Sequence, residues 1–361
     1  MSTISLAKPA AASALDKVYF TRCPVPTATG LAYKLGWLGQ EFAADGIAVE
    51  TLQEGGQLEL RRHHYDHELP TLIREGGNML ALGARAQGAP TRLIGLTWID
   101  EWQSILVRAD SGITEPHHLK GKRLALPSYA KNPIPSHVRG TSIARGMSLH
   151  GYKGVLTNAG LTFDDVEFVE VHAGGEAGRG ARAPEGQRGN IWRLWALDEL
   201  AEGKVDAIYV KGASAVDAAR EYGVVVGIDL DRLPERRFRV NNGTPRPITV
   251  NEELLGRHYD VVVRFLAQTL RAADWARDNA EGVQDILQGE TRGSRQAVTE
   301  AYGADFNRLL HPDLSEERLT LFEQQKKFLW LHGFLDHDFD LRAWADHRPL
   351  ADARRLLDDR G

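Results

Sequence analysis

The sequence predicts an α/β protein folded as two lobes around a central cleft. Short apolar runs alternate with longer helix-patterned stretches through the first two thirds of the chain, and the last third is almost wholly helical in pattern. At 361 residues the chain exceeds one small domain, at roughly 100–200 residues per domain. The expected lobes are 1–110 with 236–361, a discontinuous lobe whose later part is helical, and 111–235. The chain is expected to cross between them near 109–114 and 230–245.

In order, strands are expected at 17–20, 46–52, 91–96 and 105–108, with a helix at 70–83 carrying Ile73, Met79 and Leu80. A second strand series follows at 123–127, 166–171, 205–210 and 224–228, separated by helices at 142–151 and 191–202. Gly151, Gly160, Gly203 and Gly223 stand where those helices should end in left-handed caps. The glycine- and arginine-rich stretch 172–190 reads as a long loop, either a lid over the cleft or a solvated excursion. Asn251 followed by two glutamates, and Ser315 followed by two more, open helices in the last third. The apolar residues Val262, Phe265, Leu266 and Leu270, then Leu319, Phe322 and Leu329, recur on faces that need a partner, so this third is expected to pack back on the first lobe.

Charge narrows the function. A formal net charge of −5 argues against a general nucleic-acid binder. No apolar run approaches the roughly 18 residues of a membrane span. The opening residues lack the basic and apolar regions of a secretion signal, so the expectation is a cytoplasmic protein. A single cysteine excludes an intrachain disulfide and every all-cysteine metal site.

That cysteine, Cys23, directly follows a strand, where open α/β sheets gather their chemistry. It lies in Thr21-Arg22-Cys23-Pro24-Val25-Pro26, a stiff extended segment, with Arg22 as a neighbouring cation. It reads either as a reactive thiol or as an inert, small buried hydrophobe. In Arg61-Arg62-His63-His64-Tyr65-Asp66-His67, His63, Asp66 and His67 are of metal-ligating type; the other readings are one imidazole serving Cys23 as base or orienting partner, and plain surface-loop side chains. No matching ligand cluster stands elsewhere with catalytic spacing, so no metal is expected. Arg74-Glu75-Gly76-Gly77 joins a guanidinium fork to glycine amides, a combination suited to a two-oxygen anion; a plain turn beside a solvated arginine is the other reading. Phe20, Trp98, Trp102, Trp192 and Trp195 are candidate pocket walls or plain core. Arg139 and Arg145, each followed by glycine, are candidates for the cleft.

Together these residues resemble the aromatic sulfinate desulfinases of the dibenzothiophene sulfur-removal pathway. The resemblance runs through Cys23-Pro24-Val25-Pro26, His64, and Arg74 ten residues later with Gly76-Gly77. It continues in Ala273-Asp274-Trp275-Ala276-Arg277-Asp278, Gly303-Ala304-Asp305-Phe306, Phe322-Glu323-Gln324 and Arg342-Ala343-Trp344-Ala345-Asp346. It implies a type II periplasmic-binding-protein-like fold. It also implies a monomeric hydrolase that needs no cofactor and splits the carbon–sulfur bond of an aromatic sulfinate into the arene and sulfite. Cys23 and His64 would be catalytic. Arg74 and the Gly77 amide would bind the sulfinate, with Thr21 in place of the family's serine. His64 rather than His63 keeps the spacing to Arg74. Phe20, Trp98, Arg139 and Trp192 remain secondary pocket candidates. The same architecture also serves non-catalytic solute-binding proteins of ABC transporters that capture a sulfonate or another small organic anion, which is the alternative.

Overall fold

Short runs of buried aliphatic side chains form the strands, and pairing between distant runs decides which of them lie side by side. A computed structural model describes residues 15–23, 25, 27–52, 58–130, 141–172, 196–291 and 293–359. Among the described residues ten strands form two five-stranded sheets: β1 (Lys17–Arg22), β2 (Ala48–Thr51), β3 (Leu72–Glu75), β4 (Thr91–Thr97), β5 (Gln103–Val107), β6 (Arg123–Pro127), β7 (Glu167–Val171), β8 (Ala207–Lys211), β9 (Val225–Asp229) and β10 (Arg246–Asn251). The first sheet has the order β2-β1-β3-β10-β4 and the second β7-β6-β8-β5-β9. β10 runs antiparallel to β3 and β4, and β5 runs antiparallel to β8 and β9. These are the strands by which the chain enters a sheet after crossing between lobes.

The second crossing spans 230–245, where the sequence placed it. The first lies between β4 and β5, at 98–102, earlier than the expected 109–114. β5 pairs Gln103 with Lys211 and Val107 with Ala207, so it belongs to the second sheet although it precedes the expected boundary at 110.

Two further expectations are corrected, and one strand went unread. The stretch 70–83 is not one helix. Leu72 and Ile73 are buried in β3, between β1 and β10, and the helix Asn78–Ala86 begins only after Gly76-Gly77. Burial on both faces of a central strand overrode the helical spacing. Gly151 caps nothing: it lies inside the helix Ile143–Asn158, where its bare Cα faces the Tyr209 ring. Gly160, Gly203 and Gly223 do take positive φ. β10 went unread because Pro247 interrupts its apolar run. The proline is tolerated because Leu96, its partner on β4, exchanges backbone hydrogen bonds with Asp313 instead.

The last third docks as expected. Asn251 and Ser315 cap their helices through the amides of Glu253 and Arg318. Val262, Phe265, Leu266 and Leu270 of the helix Tyr259–Asp278 are buried, and Phe265 meets Phe20 of β1 edge to face at 5.5 Å.

The helix Ile143–Asn158 seats Gly154 against the second crossing. A Cβ on Gly154 would fall 2.1 Å from the Phe238 carbonyl oxygen, a backbone atom that cannot swing aside. Gly154→Ala should therefore cost about 1–3 kcal/mol in a urea titration, where helix propensity alone would predict a gain of about 1 kcal/mol. A measured gain would contradict this seating.

Candidate active site

The carboxyl ends of β1 and β3 lie side by side, with Thr21 opposite Arg74 and Arg22 opposite Glu75. Cys23 and Gly76-Gly77 continue from those ends. The Gly77 amide donates a hydrogen bond to Cys23 Sγ at 3.3 Å. The arginine two residues before Gly76 is sealed in: Arg74 is only 1 % exposed. Its Nη2 donates to the Gly77 carbonyl at 3.0 Å, while Nε and Nη1 have no partner among the described residues. The two glycines are needed for this approach. A Cβ on Gly76 would sit 2.8 Å from Arg74 Nη2, and one on Gly77 would sit 2.6 Å from Asn242 Nδ2. Thiol, amide and guanidinium are therefore brought to one place.

His64 joins through Thr21. The Thr21 hydroxyl and His64 Nδ1 lie 2.8 Å apart, and Thr21 stands two residues before Cys23, on the same side of an extended chain. The neighbouring imidazoles make hydrogen bonds within and beside the short helix His63–Asp66. His63 Nδ1 bonds Asp66 at 2.8 Å, and His67 Nε2 bonds the His64 carbonyl at 3.1 Å.

Several expectations end differently. Arg22 points away from the thiol, to Glu290 at 2.6 Å and over the Tyr33 ring. Phe20 is fully buried core against Phe265, not a pocket wall. Trp98 packs with Val240 and Leu321 at the first crossing, its indole N–H on Asp100. Arg145 bonds the Pro127 carbonyl and Glu170. Arg139, Trp192, Trp195, Pro24, Pro26 and the 173–190 part of the expected lid lie outside the described residues.

Sequence reasoning missed a second set of charges. Arg246, at the start of β10, is buried and bonds Glu101 Oε2 at 3.2 Å; Lys211, at the end of β8, reaches the same oxygen at 2.7 Å. Glu75 is buried on β3 and accepts from Thr97 at 3.2 Å. Asn242 props the region from the second crossing, accepting from the Met79 amide at 2.8 Å. Nothing in the local sequence marks these residues, because each reaches the site through strand pairing or a crossing.

Burial pulls Arg74 down to about 10, against the opposing pull of Cys23, so it stays charged near neutrality. Burial also pulls Arg246 down, but Glu101, Cys23 and Glu75 together hold it above its ordinary value. Glu75 is pushed up to about 7 by burial, with Arg246 and the Thr27 and Thr97 hydroxyls opposing.

The two sheets, each with one antiparallel strand from a crossing, define the two-lobed class of periplasmic-binding-protein-like folds. Within it, the aliphatic sulphonate-binding protein SsuA of Escherichia coli superposes with a TM-score of 0.65 over 92 % of each chain, at 16 % identity. Residues 30–175 match the NMT1/THI5-like family. The chain is similar to the 2′-hydroxybiphenyl-2-sulfinate desulfinases of Rhodococcus erythropolis and Rhodococcus qingshengii, 29 % identical to each over 355 residues that cover 91 % of both partners. A crystal structure of a cysteine-to-serine mutant of DszB with biphenyl-2-sulfinic acid superposes with a TM-score of 0.69 at 25 % identity. It covers 94 % of this chain and 99 % of that one. The resemblance read from the sequence is borne out.

The Glu75 carboxyl gives the site a pH signature. Its folded value lies above its ordinary 4.5, so folding takes up a proton. The stability it contributes is complete below the ordinary value and is lost as pH rises through about 7. Glu75→Gln removes this loss. In paired melts, the variant should gain on the parent by about 1 kcal/mol between roughly pH 6 and pH 8. Parallel pH profiles would show that Glu75 does not titrate there.

Proposed function

We propose that the chain is a desulfinase that splits the carbon–sulfur bond of an aromatic sulfinate, with Cys23 as its reacting group. The observation that carries this is the meeting of Cys23 Sγ, the Gly77 amide and a buried arginine whose Nε and Nη1 have no partner among the described residues. A sulfinate, Ar–SO2−, offers two anionic oxygens for Arg74 to grip as a fork while its sulfur is brought against the thiol. A binding protein needs the fork but has no use for the thiol.

Two balanced routes use this arrangement. In one, the Cys23 thiolate attacks sulfur, the aryl carbanion leaves and takes a proton to become the arene, and water converts the Cys–S–SO2− adduct to thiol and bisulfite. In the other, the Cys23 thiol protonates the ring carbon that bears sulfur. Sulfur dioxide leaves and is hydrated to bisulfite, and the thiolate regains its proton from solvent. His64, held by Thr21, orients the thiol in both and in the first activates water. Each route is complete with water and these side chains.

The test is sulfite release from 2′-hydroxybiphenyl-2-sulfinate by the purified protein in the presence of a chelator. The parent should turn over, and Cys23→Ser should lose at least about a thousandfold in kcat. Arg74→Lys, which keeps charge but loses the fork, should raise KM by about tenfold or more. Tight binding without turnover in the parent would overturn the reading in favour of a capture protein. The first route also predicts an adduct on Cys23, heavier by one sulfur dioxide, in acid-quenched mass spectra.

A further inference from the structure

Arg246 is not explained by packing alone. The Gly76 amide donates to the Pro247 carbonyl at 3.4 Å and Ile248 pairs with Glu75. This register sets Arg246 beside Gly77, whose own amide holds Cys23 Sγ. Its guanidinium is buried, bonds Glu101 through Nη2, and leaves Nε without a partner among the described residues. Glu101 is aimed by the first crossing, where the next residue, Trp102, takes a left-handed φ of 47°. The carboxylate lies between Lys211 of the second sheet and Arg246 of the first. Gly243 lets the second crossing close on this trio, since a Cβ there would meet Arg246 Nη2 at 2.7 Å and Lys211 Nζ at 2.8 Å.

The charges do not balance. Arg74, Arg246 and Lys211 share the region with the Glu101 carboxylate, and Glu75 lies on the neutral side of its transition below about pH 7. In a region sealed from water, surplus positive charge acts at longer range than at a surface.

We propose that Arg246 is a second anion-selecting cation of this site, held in place by Glu101 and Lys211, and that with Arg74 it sets a positive potential at Cys23 favouring monoanionic oxyacid ligands over neutral ligands of the same shape. The proposal rests on the reading of Cys23 as the reacting thiol. It assigns Arg246 no direct bond to the ligand; the residue acts through the field it places on the thiol and the bound anion.

The chain has one cysteine, so alkylation reads one site. Iodoacetate and iodoacetamide attack the same thiolate and differ little in size. The ratio of their rate constants at a single pH therefore cancels the ionised fraction and reports the potential at sulfur. The parent should favour iodoacetate more than a small free thiol does. Arg246→Gln should lower the ratio about tenfold, and Arg246→Lys should keep it within about twofold, on an effective dielectric of roughly 20. A purely structural role would lower both rates together and leave the ratio unmoved, and that result overturns the proposal. If Arg246→Gln does not fold, Lys211→Met in the parent supplies the second reading: it leaves Glu101 to Arg246 alone and should lower the ratio by about threefold. An unchanged ratio there would equally overturn it. Because no sulfinate enters the assay, a protein that releases no sulfite but still loses the ratio in Arg246→Gln would defeat the desulfinase reading and leave this assignment standing.

Discussion

An arginine sealed from water at the end of β3 sets the terms for everything around it. Removing a guanidinium from solvent costs several kcal/mol unless its hydrogens find acceptors and its charge finds a partner. The Gly77 carbonyl satisfies one N–H of Arg74, while Nε and Nη1 have no partner among the described residues. A Cβ on Gly76 would crowd Arg74 and one on Gly77 would crowd Asn242, and the amide of the second faces the thiol. Strand β3 must therefore sit between β1 and β10, and the helix Asn78–Ala86 must start at once after the glycines.

That start is fixed by a buried chain of hydrogen bonds running through both lobes. Gln325 donates to Asn78 Oδ1 at 2.8 Å, and Asn78 donates to the carbonyls of Asn241 and Pro245. Asn241 donates to the Tyr209 hydroxyl, which donates to Gln103 Oε1, each at 2.8 Å. His150 bonds Gln325 at the other end, stacked on Phe328, and burial pulls it down to about 3, so it remains neutral. A fully satisfied buried network of this kind specifies one arrangement, because any member left unpaired would bear its whole desolvation cost. Here it ties the second crossing, the second sheet and the helix behind Gly77 together.

What the sequence disclosed follows from what is local. The eight strands expected from apolar runs are present within a few residues, and the asparagine and serine caps act where they were read, because both signals lie within a few residues of chain. Cys23, Arg74 and Gly77 were legible because each borders a strand end or a glycine turn. Arg74 was still assigned to a helix, since the spacing of Ile73, Met79 and Leu80 mimics one while the partners that make β3 a strand are about 50 and 175 residues away along the chain. Arg246 and Glu101 were invisible for the same reason. Their neighbours are set by the two crossings, and no local pattern encodes a charge that meets its partner across two sheets. Phe20 misled in the opposite sense, being next to the site in sequence but turned into the core.

On the proposed function, Arg74 and the Gly77 amide hold an oxyanion against the thiol of Cys23. The most direct measurement is a crystal structure of Cys23→Ala with biphenyl-2-sulfinate bound. Both sulfinate oxygens should lie within about 3 Å of Arg74 N–H groups or the Gly77 amide, with the sulfur beside the truncated side chain. A sulfinate seated elsewhere in the cleft, with no oxygen on Arg74 Nε or Nη1, would contradict this.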